Sequence, residues 1–179
     1  MIEKNGDISI QDNFLVEKEF IALRDIMMGD YFPWFFNPNI TKKGEDKKIS
    51  PGQLVHMVYG NNIPQSSFYV SHFLPIREQL EGDIWLRIRA NLSLRLTEPF
   101  HSPYHIDEGY SDTGISNNFT TSILYINTNN GYTEFEDGTI VESVANRLVS
   151  FPLPTRHRAV SQTDEQRRVV INFNYLKWH

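Results

Sequence analysis

The segment DIWLRIRANLSLRL, residues 83–96, constrains the fold more than any other part of the chain. Its side chains alternate between apolar and polar almost without exception. Since successive side chains of a strand point to opposite faces, this period of two predicts one long strand. One face is apolar and consists of Ile84, Leu86, Ile88, Ala90, Leu92 and Leu94. The other face is mainly polar and consists of Trp85, Arg87, Arg89, Asn91, Ser93 and Arg95.

Short strands separated by turns follow this segment. The predicted strands are YHID, TTSILYIN, YTEFED, RLVSFP, HRAV and RRVVINFNY, and the turns between them include NTNNG, EDGT and SQTDEQ. Helical spacing of apolar residues predicts a helix over residues 14–29 and a second over residues 66–82, which Pro75 kinks or divides. QLVHMVYG, between the helices, is a further strand, and residues 40–52 are a surface loop.

This order of elements predicts an α+β fold that is mainly β. Helices followed by many short strands indicate a double-stranded β-helix, or jelly roll, with N-terminal helices packed on the major sheet. We expect residues 1–179 to form a single domain.

The composition narrows the chemistry. The chain contains no cysteine, which excludes disulfides, thiolate zinc sites and cysteine nucleophiles. Any metal would be bound by His, Asp or Glu, ligands that suit iron, manganese, copper or zinc. The net charge of −5 gives no basic footprint for nucleic acid. The sequence has no run of 18 apolar residues and no apolar signal-peptide core, so we expect a cytoplasmic protein with no membrane partner.

The segment FHSPYHIDEG, residues 100–109, is the densest stretch of metal-binding side chains. His105 and Asp107 are two residues apart, so on a strand they would face the same side and could share one ion. A strand cannot direct His101 at that same ion, and we expect it beside the site or exposed. Glu108 would point away from Asp107, toward the rim.

A third ligand has to come from another strand, and His157 is the best candidate because it begins a short apolar run after a Pro-rich turn. Two histidines and one carboxylate leave part of an octahedral shell open, an arrangement typical of non-haem Fe(II) oxygenases. A His-x-Asp pair also arises often by chance, and a lone histidine beside a turn is often an ordinary surface or core residue. A polar loop that binds no metal therefore stays an alternative at this point.

Two adjacent arginines open the last predicted strand. Arg168 lies eleven residues after His157. Its planar fork suits bidentate capture of a carboxylate, and an unpaired buried charge is costly, so an inward-facing Arg168 predicts a carboxylate partner. A dicarboxylate cosubstrate could bind a metal at one end and this arginine at the other. Only one of Arg167 and Arg168 can face inward, and Arg168 shares its face with Asn172 and Asn174, the polar set that a metal pocket favours.

Taken together, these motifs resemble the Fe(II)- and 2-oxoglutarate-dependent dioxygenase superfamily. The resemblance rests on HID, LYIN, GYTEFEDG, ANRLVSF and the histidine and arginine eleven residues apart. With FPWFFNP, RIRANL and FHSPYHID upstream, the chain is most similar to small prolyl-hydroxylase-like members, including the phage-type group of marine bacteriophages. The resemblance spans about residues 32–175.

The resemblance implies specific roles for five residues. His105, Asp107 and His157 would bind Fe(II) and form the catalytic centre. Arg168 would pair with the distal carboxylate of 2-oxoglutarate, and the hydroxyl of Tyr125 would join that carboxylate.

Other residues have less specific expectations. Asn91 could reach the cosubstrate or the substrate, with a solvent-facing strand residue as the alternative. Asn146 and Arg147 are expected to form a structural turn, with Arg147 paired on the surface or bordering the pocket. Trp34 and Phe35 are expected in the core.

The implied reaction consumes 2-oxoglutarate and O2, releases succinate and CO2, and hydroxylates a C–H bond. Because Asp107 is a carboxylate, and related halogenases have a small residue there, hydroxylation is favoured over halogenation. The expected substrate is a peptidyl proline or another protein side chain, with a small metabolite as the next candidate. If the protein is phage-encoded, its location would be the host cytoplasm. The rival readings are a non-catalytic, cupin-like jelly roll that binds a metal or ligand, and a metal-free structural jelly roll of the capsid type.

Overall fold

The computed structural model describes residues 2–38, 50–107 and 118–177, with side chains from residue 6 onward. Its strands are β1 (Ile2–Asn5), β2 (Ile8–Gln11), β3 (Phe35–Asn37), β4 (Gln53–Gly60), β5 (Ile63–Pro64), β6 (Ile84–Leu94), β7 (Phe119–Tyr125), β8 (Tyr132–Phe135), β9 (Ile140–Glu142), β10 (Leu148–Pro152), β11 (His157–Val160) and β12 (Arg167–Leu176). The helices are α1 (Glu17–Met27), a π-helical turn (Tyr69–Phe73) and α2 (Leu74–Leu80).

The strands form two antiparallel sheets. The major sheet has the order β1-β2-β10-β7-β12-β6-β4-β3, with β5 paired to β4, and the minor sheet has the order β11-β8-β9. The two sheets share an apolar interior to which both contribute: Ile8, Ile123, Tyr125, Phe135, Val141, Val149, Phe151 and Val170. The mainly β jelly roll predicted from the sequence is therefore confirmed.

The opposite face of the major sheet packs against the helices. Phe20, Leu23 and Met27 of α1 belong to one buried cluster with Ile88 of β6 and Ile171 of β12. The helices thus cover the outer face of the central strands. The inner face of the same strands, which faces the minor sheet, remains available for polar side chains.

A bulge in β6 changes the predicted alternation. The register against β12 shifts between the pairs Arg87–Asn174 and Trp85–Tyr175, so Leu86 is an extra residue in the ladder. On the N-terminal side of this bulge, the side chains of β6 lie on the faces opposite to those that the alternation predicts. Trp85 is 2% exposed and stacks on Tyr175 in the helix-side core, with ring centroids 4.9 Å apart. The alternation placed Ile84 on one face with the buried Ile88 and Trp85 on the other, but Ile84 is 44% exposed and Trp85 packs with Ile88, so the predicted alternation is wrong at this end of the strand.

The predicted helices are present within narrower limits. The first predicted helix is α1, and the second is divided as expected, since Pro75 lies in the first turn of α2 directly after the π-helical turn. Proline is tolerated there because the first-turn N–H groups have no partner within the helix. No helix in the described ranges is long and apolar enough to cross a membrane.

Several local predictions were wrong, and others concern residues outside the described ranges. YHID is not a strand, and its segment makes only isolated bridges, His101 with Val160 and His105 with His157. Phe35 is 61% exposed rather than buried, while Trp34 is half-buried against the core. Glu108 and residues 40–49 of the predicted surface loop lie outside the described residues.

Candidate metal centre

His105 and His157 lie opposite each other on adjacent backbone segments. The N–H of His105 donates to the carbonyl of His157 at 2.9 Å, and the N–H of His157 donates to the carbonyl of His105 at 3.0 Å. In an antiparallel pair, residues that exchange both hydrogen bonds project their side chains to the same face. The two imidazole centroids are accordingly 4.7 Å apart, so the bridge brings the rings together without a regular strand at His105.

Backbone carbonyls fix the orientation of both rings. Nδ1 of His105 lies 3.2 Å from the carbonyl of Pro103, and Nδ1 of His157 lies 3.0 Å from the carbonyl of Thr155. A carbonyl only accepts, so each Nδ1 carries the hydrogen and donates it. In a neutral imidazole whose hydrogen is on Nδ1, Nε2 has the free lone pair, the arrangement in which histidine binds a metal.

Asp107 completes a group of three donors. Its side chain is 5% exposed, and its Oδ1 lies 3.9 Å from Nε2 of His105. One donor atom from each of His105, Asp107 and His157 lies within 4.8 Å of the other two. Two imidazole nitrogens and a carboxylate oxygen fit a divalent first-row transition metal, so the residues present match the Fe(II) that the sequence motifs predict.

The charges around Asp107 keep it ionised. Burial acts to raise the pKa of this carboxyl, but the positive charge of Arg87, the two histidines and a hydrogen bond from Asn174 together hold it below its ordinary value. Burial has the opposite effect on His157 and lowers the pKa of its imidazole, although Asp107 opposes this shift. At neutral pH the pair is thus a carboxylate beside a neutral imidazole, the forms that bind metals.

Arg168 lies in the same interior, and Arg167 does not. The Arg168 side chain is buried, its Nε donates to Ser143 Oγ at 2.8 Å, and its Nη2 lies 3.4 Å from Thr133 Oγ1. Arg167 instead reaches the helix side, where its Nη2 donates to the carbonyl of Met28 at 2.6 Å. The strand parity predicted from the sequence is therefore the one observed.

Arg168 has no carboxylate partner within the described part of the chain. Its guanidinium lies over the Tyr125 ring, 5.5 Å from the centroid, and burial lowers its pKa. The Tyr125 hydroxyl donates to Thr133 Oγ1 at 2.7 Å, so Thr133 joins the tyrosine to the arginine. Burying a cation that contacts only neutral groups costs free energy of folding. An anion bound beside Arg168 would offset that cost.

Asn91 faces the same interior from β6. Its Nδ2 lies 3.3 Å from Oδ1 of Asn172 across the β6–β12 ladder. It is half-buried, so it is not a fully solvent-facing strand residue. Its contact to a cosubstrate or substrate stays a prediction.

The remaining candidates have structural positions. His101 is outside the donor group, with Nδ1 3.9 Å from Glu134. Asn146 has a left-handed backbone, with φ of 62°, and its side-chain amide exchanges hydrogen bonds with the backbone of Leu15. Arg147 forms a two-point ion pair with Asp12, at 2.6 and 3.0 Å.

Sequence reasoning missed Thr133, Ser143 and Gly131. A lone hydroxyl residue carries no motif, and only the register of β8 reveals that Thr133 faces Arg168. Gly131 was predicted only as part of the NTNNG turn. Its importance is that Arg168 packs closely against its backbone. A Cβ at residue 131 would lie 2.9 Å from Arg168 Cδ, from Asn129 Oδ1 and from the Val160 carbonyl.

No protein-family model and no curated relative matches the sequence. Solved structures do match the fold. A prolyl-4-hydroxylase from Pseudomonas putida superposes with a TM-score of 0.59 at 15% identity, covering 96% of this chain and 93% of its own. A prolyl hydroxylase from Trichoplax adhaerens, solved with a hypoxia-inducible-factor peptide, gives 0.61 at 12% identity, with 96% and 84% covered.

A third match differs in its chemistry. A non-haem, α-ketoglutarate-dependent carbocyclase from nogalamycin biosynthesis gives a TM-score of 0.60 at 15% identity, covering 96% of this chain and 79% of its own. At these identities the likeness shows that the chain has the fold that these oxygenases share.

Proposed function

We propose that this protein is an Fe(II)- and 2-oxoglutarate-dependent oxygenase that hydroxylates a C–H bond. The observation that carries the proposal is the presence, in one jelly-roll interior, of a His105–Asp107–His157 donor group together with a buried arginine that has no carboxylate partner among the described residues. Either feature alone would fit a simpler binding protein. The two together fit a metal and a dicarboxylate bound side by side.

The three donors would hold Fe(II). Two imidazole nitrogens and one carboxylate oxygen would supply three ligands and would leave positions for exchangeable ligands. Bound there, iron with 2-oxoglutarate and O2 supplies the oxidising chemistry, with succinate and CO2 as products. The protein's contribution is to fix Nε2 of both histidines and one oxygen of Asp107, and to keep the surroundings apolar through Phe135 and Phe151, which contact His157.

Arg168 would bind the distal carboxylate of 2-oxoglutarate. In the minor sheet, His157 pairs with Phe135, and Ala159 pairs with Thr133, which contacts Arg168. These pairs are two residues apart on one face, a step of about 7 Å along a strand. A five-carbon dicarboxylate is of comparable length, so one molecule could meet the metal and the arginine together. The Tyr125 hydroxyl lies beside that anchor, through Thr133.

The proposed substrate is a peptidyl proline or another protein side chain. The two structurally similar prolyl hydroxylases support this class, one of them having been solved with a peptide. The carbocyclase of the same fold supports the alternative, a small molecule. Cytoplasmic location and the phage-type grouping stay predictions from the sequence.

Metal binding tests the proposal first. Calorimetric titration with Mn(II), or with Fe(II) under anaerobic conditions, should give one site per chain in the wild type and none in His105→Ala or His157→Ala. His101→Ala is a matched control, because His101 also lies in a backbone bridge to β11 but outside the donor group, and it should bind normally. Wild-type protein that binds no metal, or His157→Ala that binds it unchanged, would overturn the proposed site.

A further inference from the structure

Two residues to which the proposed reaction gives no role hold the Asp107 carboxylate. Arg87 Nη2 lies 3.3 Å from Asp107 Oδ1, and Asn174 Nδ2 donates to Asp107 Oδ2 at 2.9 Å. Arg87 Nε also donates to Asn174 Oδ1 at 3.0 Å, which closes a three-membered ring of contacts. Both oxygens of the carboxylate are therefore engaged by the protein.

The ring is built into the sheet. Arg87 and Asn174 are directly paired across β6 and β12, on the inner face, at the last pair before the bulge at Leu86. On the other side of the bulge, Trp85 lies in the helix-side cluster with Tyr175, so the bulge separates Arg87 from the apolar end of β6. Asn174 is fully buried, so its amide has no water to replace a lost partner.

The orientation of the Asn174 amide is fixed by its neighbours. Its Oδ1 accepts from the Arg87 guanidinium, a group that only donates, and its Nδ2 donates to Asp107 and to Thr121 Oγ1 at 3.0 Å. An inverted amide would place its oxygen against the carboxylate and its N–H₂ against the guanidinium. The Asn174 amide therefore links Arg87 to Asp107, so the position of Arg87 affects the orientation of the Asp107 carboxylate.

We infer that Arg87 and Asn174 are positioning residues that set the orientation in which Asp107 binds the metal. The inference rests on the proposed metal site. Outer partners that orient a ligating carboxylate commonly contribute a factor of about 10–100 in metal affinity, and the ring gives this carboxylate two such partners.

The positive charge of Arg87, considered alone, would have the opposite effect on metal affinity. A guanidinium beside a cation site repels the cation, so removing the positive charge would strengthen metal binding if Coulomb energy were the main contribution. Positioning predicts weaker binding on the same substitution. The direction of the change in affinity therefore separates the two roles.

The test is the dissociation constant for Mn(II), measured by calorimetry on wild type, Arg87→Gln, Arg87→Lys and Asn174→Ala. All three variants should bind roughly 10- to 100-fold more weakly than wild type. Lysine keeps the charge but lacks the fork that contacts Asp107 and Asn174 together, so it should not rescue affinity. Arg147→Gln is the matched control, since Arg147 is also ion-paired to an aspartate, Asp12, which lies outside the donor group, and it should bind as wild type does.

The coordination itself gives a second readout. With Co(II) at saturating concentration, the visible absorption of Arg87→Gln should differ in band position or intensity from wild type, because the carboxylate orientation differs. A merely structural role would lower thermal stability without altering that spectrum.

The outcomes are distinct. Arg87→Gln that binds Mn(II) as tightly as wild type, or more tightly, overturns the inference while leaving the proposed function intact. Wild type that binds no metal overturns both. If Arg87→Gln does not fold, Arg87→Lys decides by the same criterion, and wild-type affinity in that variant overturns the inference.

Discussion

Replacing Arg168 with methionine should separate ligand binding from stability. In the free protein Arg168 is 4% exposed, and its guanidinium donates to two hydroxyls, from Ser143 and Thr133. Removing a charge from water costs several kcal/mol, and the two hydrogen bonds that the guanidinium donates to neutral hydroxyls return only about 1.5–3 kcal/mol each. The arginine thus contributes little to the stability of the free protein, and methionine fills much of its volume without a charge.

The expected magnitudes follow from that balance. Arg168→Met should leave the free energy of unfolding of the free protein within about 1 kcal/mol of wild type, or raise it. The affinity for 2-oxoglutarate should fall, because removing one partner of a buried charge pair costs roughly 2–5 kcal/mol, or roughly 30- to 4,000-fold in the dissociation constant. Mn(II) binding should change little, since Arg168 is not in the donor group.

Two measurements on each protein check this prediction. Urea unfolding of the free protein gives stability, and calorimetric titration of 2-oxoglutarate into the Mn(II)-loaded protein gives affinity. Arg167→Met is the matched control, because Arg167 donates to a helix-side carbonyl, and it should retain wild-type affinity. The reasoning is refuted if Arg168→Met loses more than about 3 kcal/mol of stability and still binds 2-oxoglutarate normally, as a purely structural arginine would.

Three further substitutions test the surroundings of the site. Gly131→Ala places a methyl group 2.9 Å from Arg168 Cδ and the Val160 carbonyl, so urea unfolding should show a loss of roughly 1–3 kcal/mol; wild-type stability would contradict the close approach. Tyr125→Phe removes the hydroxyl that donates to Thr133 and should weaken 2-oxoglutarate binding to the Mn(II)-loaded protein by roughly 5- to 10-fold; unchanged affinity would exclude that hydroxyl from the anchor. His157→Gln should flatten the pH dependence of stability in the metal-free protein. Because burial lowers the folded-state pKa of His157 below its ordinary 6.5, the unfolded chain binds the proton first, and stability present above pH 6.5 is lost as the pH falls below it. The slope attributable to His157 is at most about 1.4 kcal/mol per pH unit, and it should be measurable by urea unfolding between pH 7.5 and 5.5. If the stability of His157→Gln has the same pH dependence as that of wild type, other groups must titrate. His56 is one such group, because burial also lowers its pKa.

Strand periodicity made much of the fold and half of the site predictable. The alternation around Arg168 distinguished it from Arg167 without a structure, since a period of two leaves only one of two neighbours inside. The same rule was wrong at Ile84, because a bulge at Leu86 is set by the pairing with β12 and not by the local sequence.

The rest depended on contacts between distant segments. His105 and Asp107 were identified correctly as close neighbours, but the predicted strand that was to hold them is absent. The backbone bridge to His157 holds His105 instead, 52 residues away in sequence. Thr133 and Ser143 acquire their positions only from contacts between distant segments, and single polar residues of common type carry no periodic signal. Strand alternation placed Asn174 on the face of Arg168, but its contacts with Arg87 and Asp107 depend on the strand register. The strands β1, β2 and β9 were not predicted, because three or four residues are too few to show a clear alternation.

Conversion of 2-oxoglutarate to succinate is the most direct test of the central claim. The Fe(II)-loaded protein would be incubated with radiolabelled 2-oxoglutarate in air, alone and with a panel of proline-containing peptides and free amino acids. The proposed function predicts succinate and CO2 in equal amounts, formed only with both Fe(II) and O2 and lost in His157→Ala. Protein that binds metal and 2-oxoglutarate at one site per chain, yet yields no succinate above the His157→Ala blank with any compound, would contradict the account and indicate a binding module.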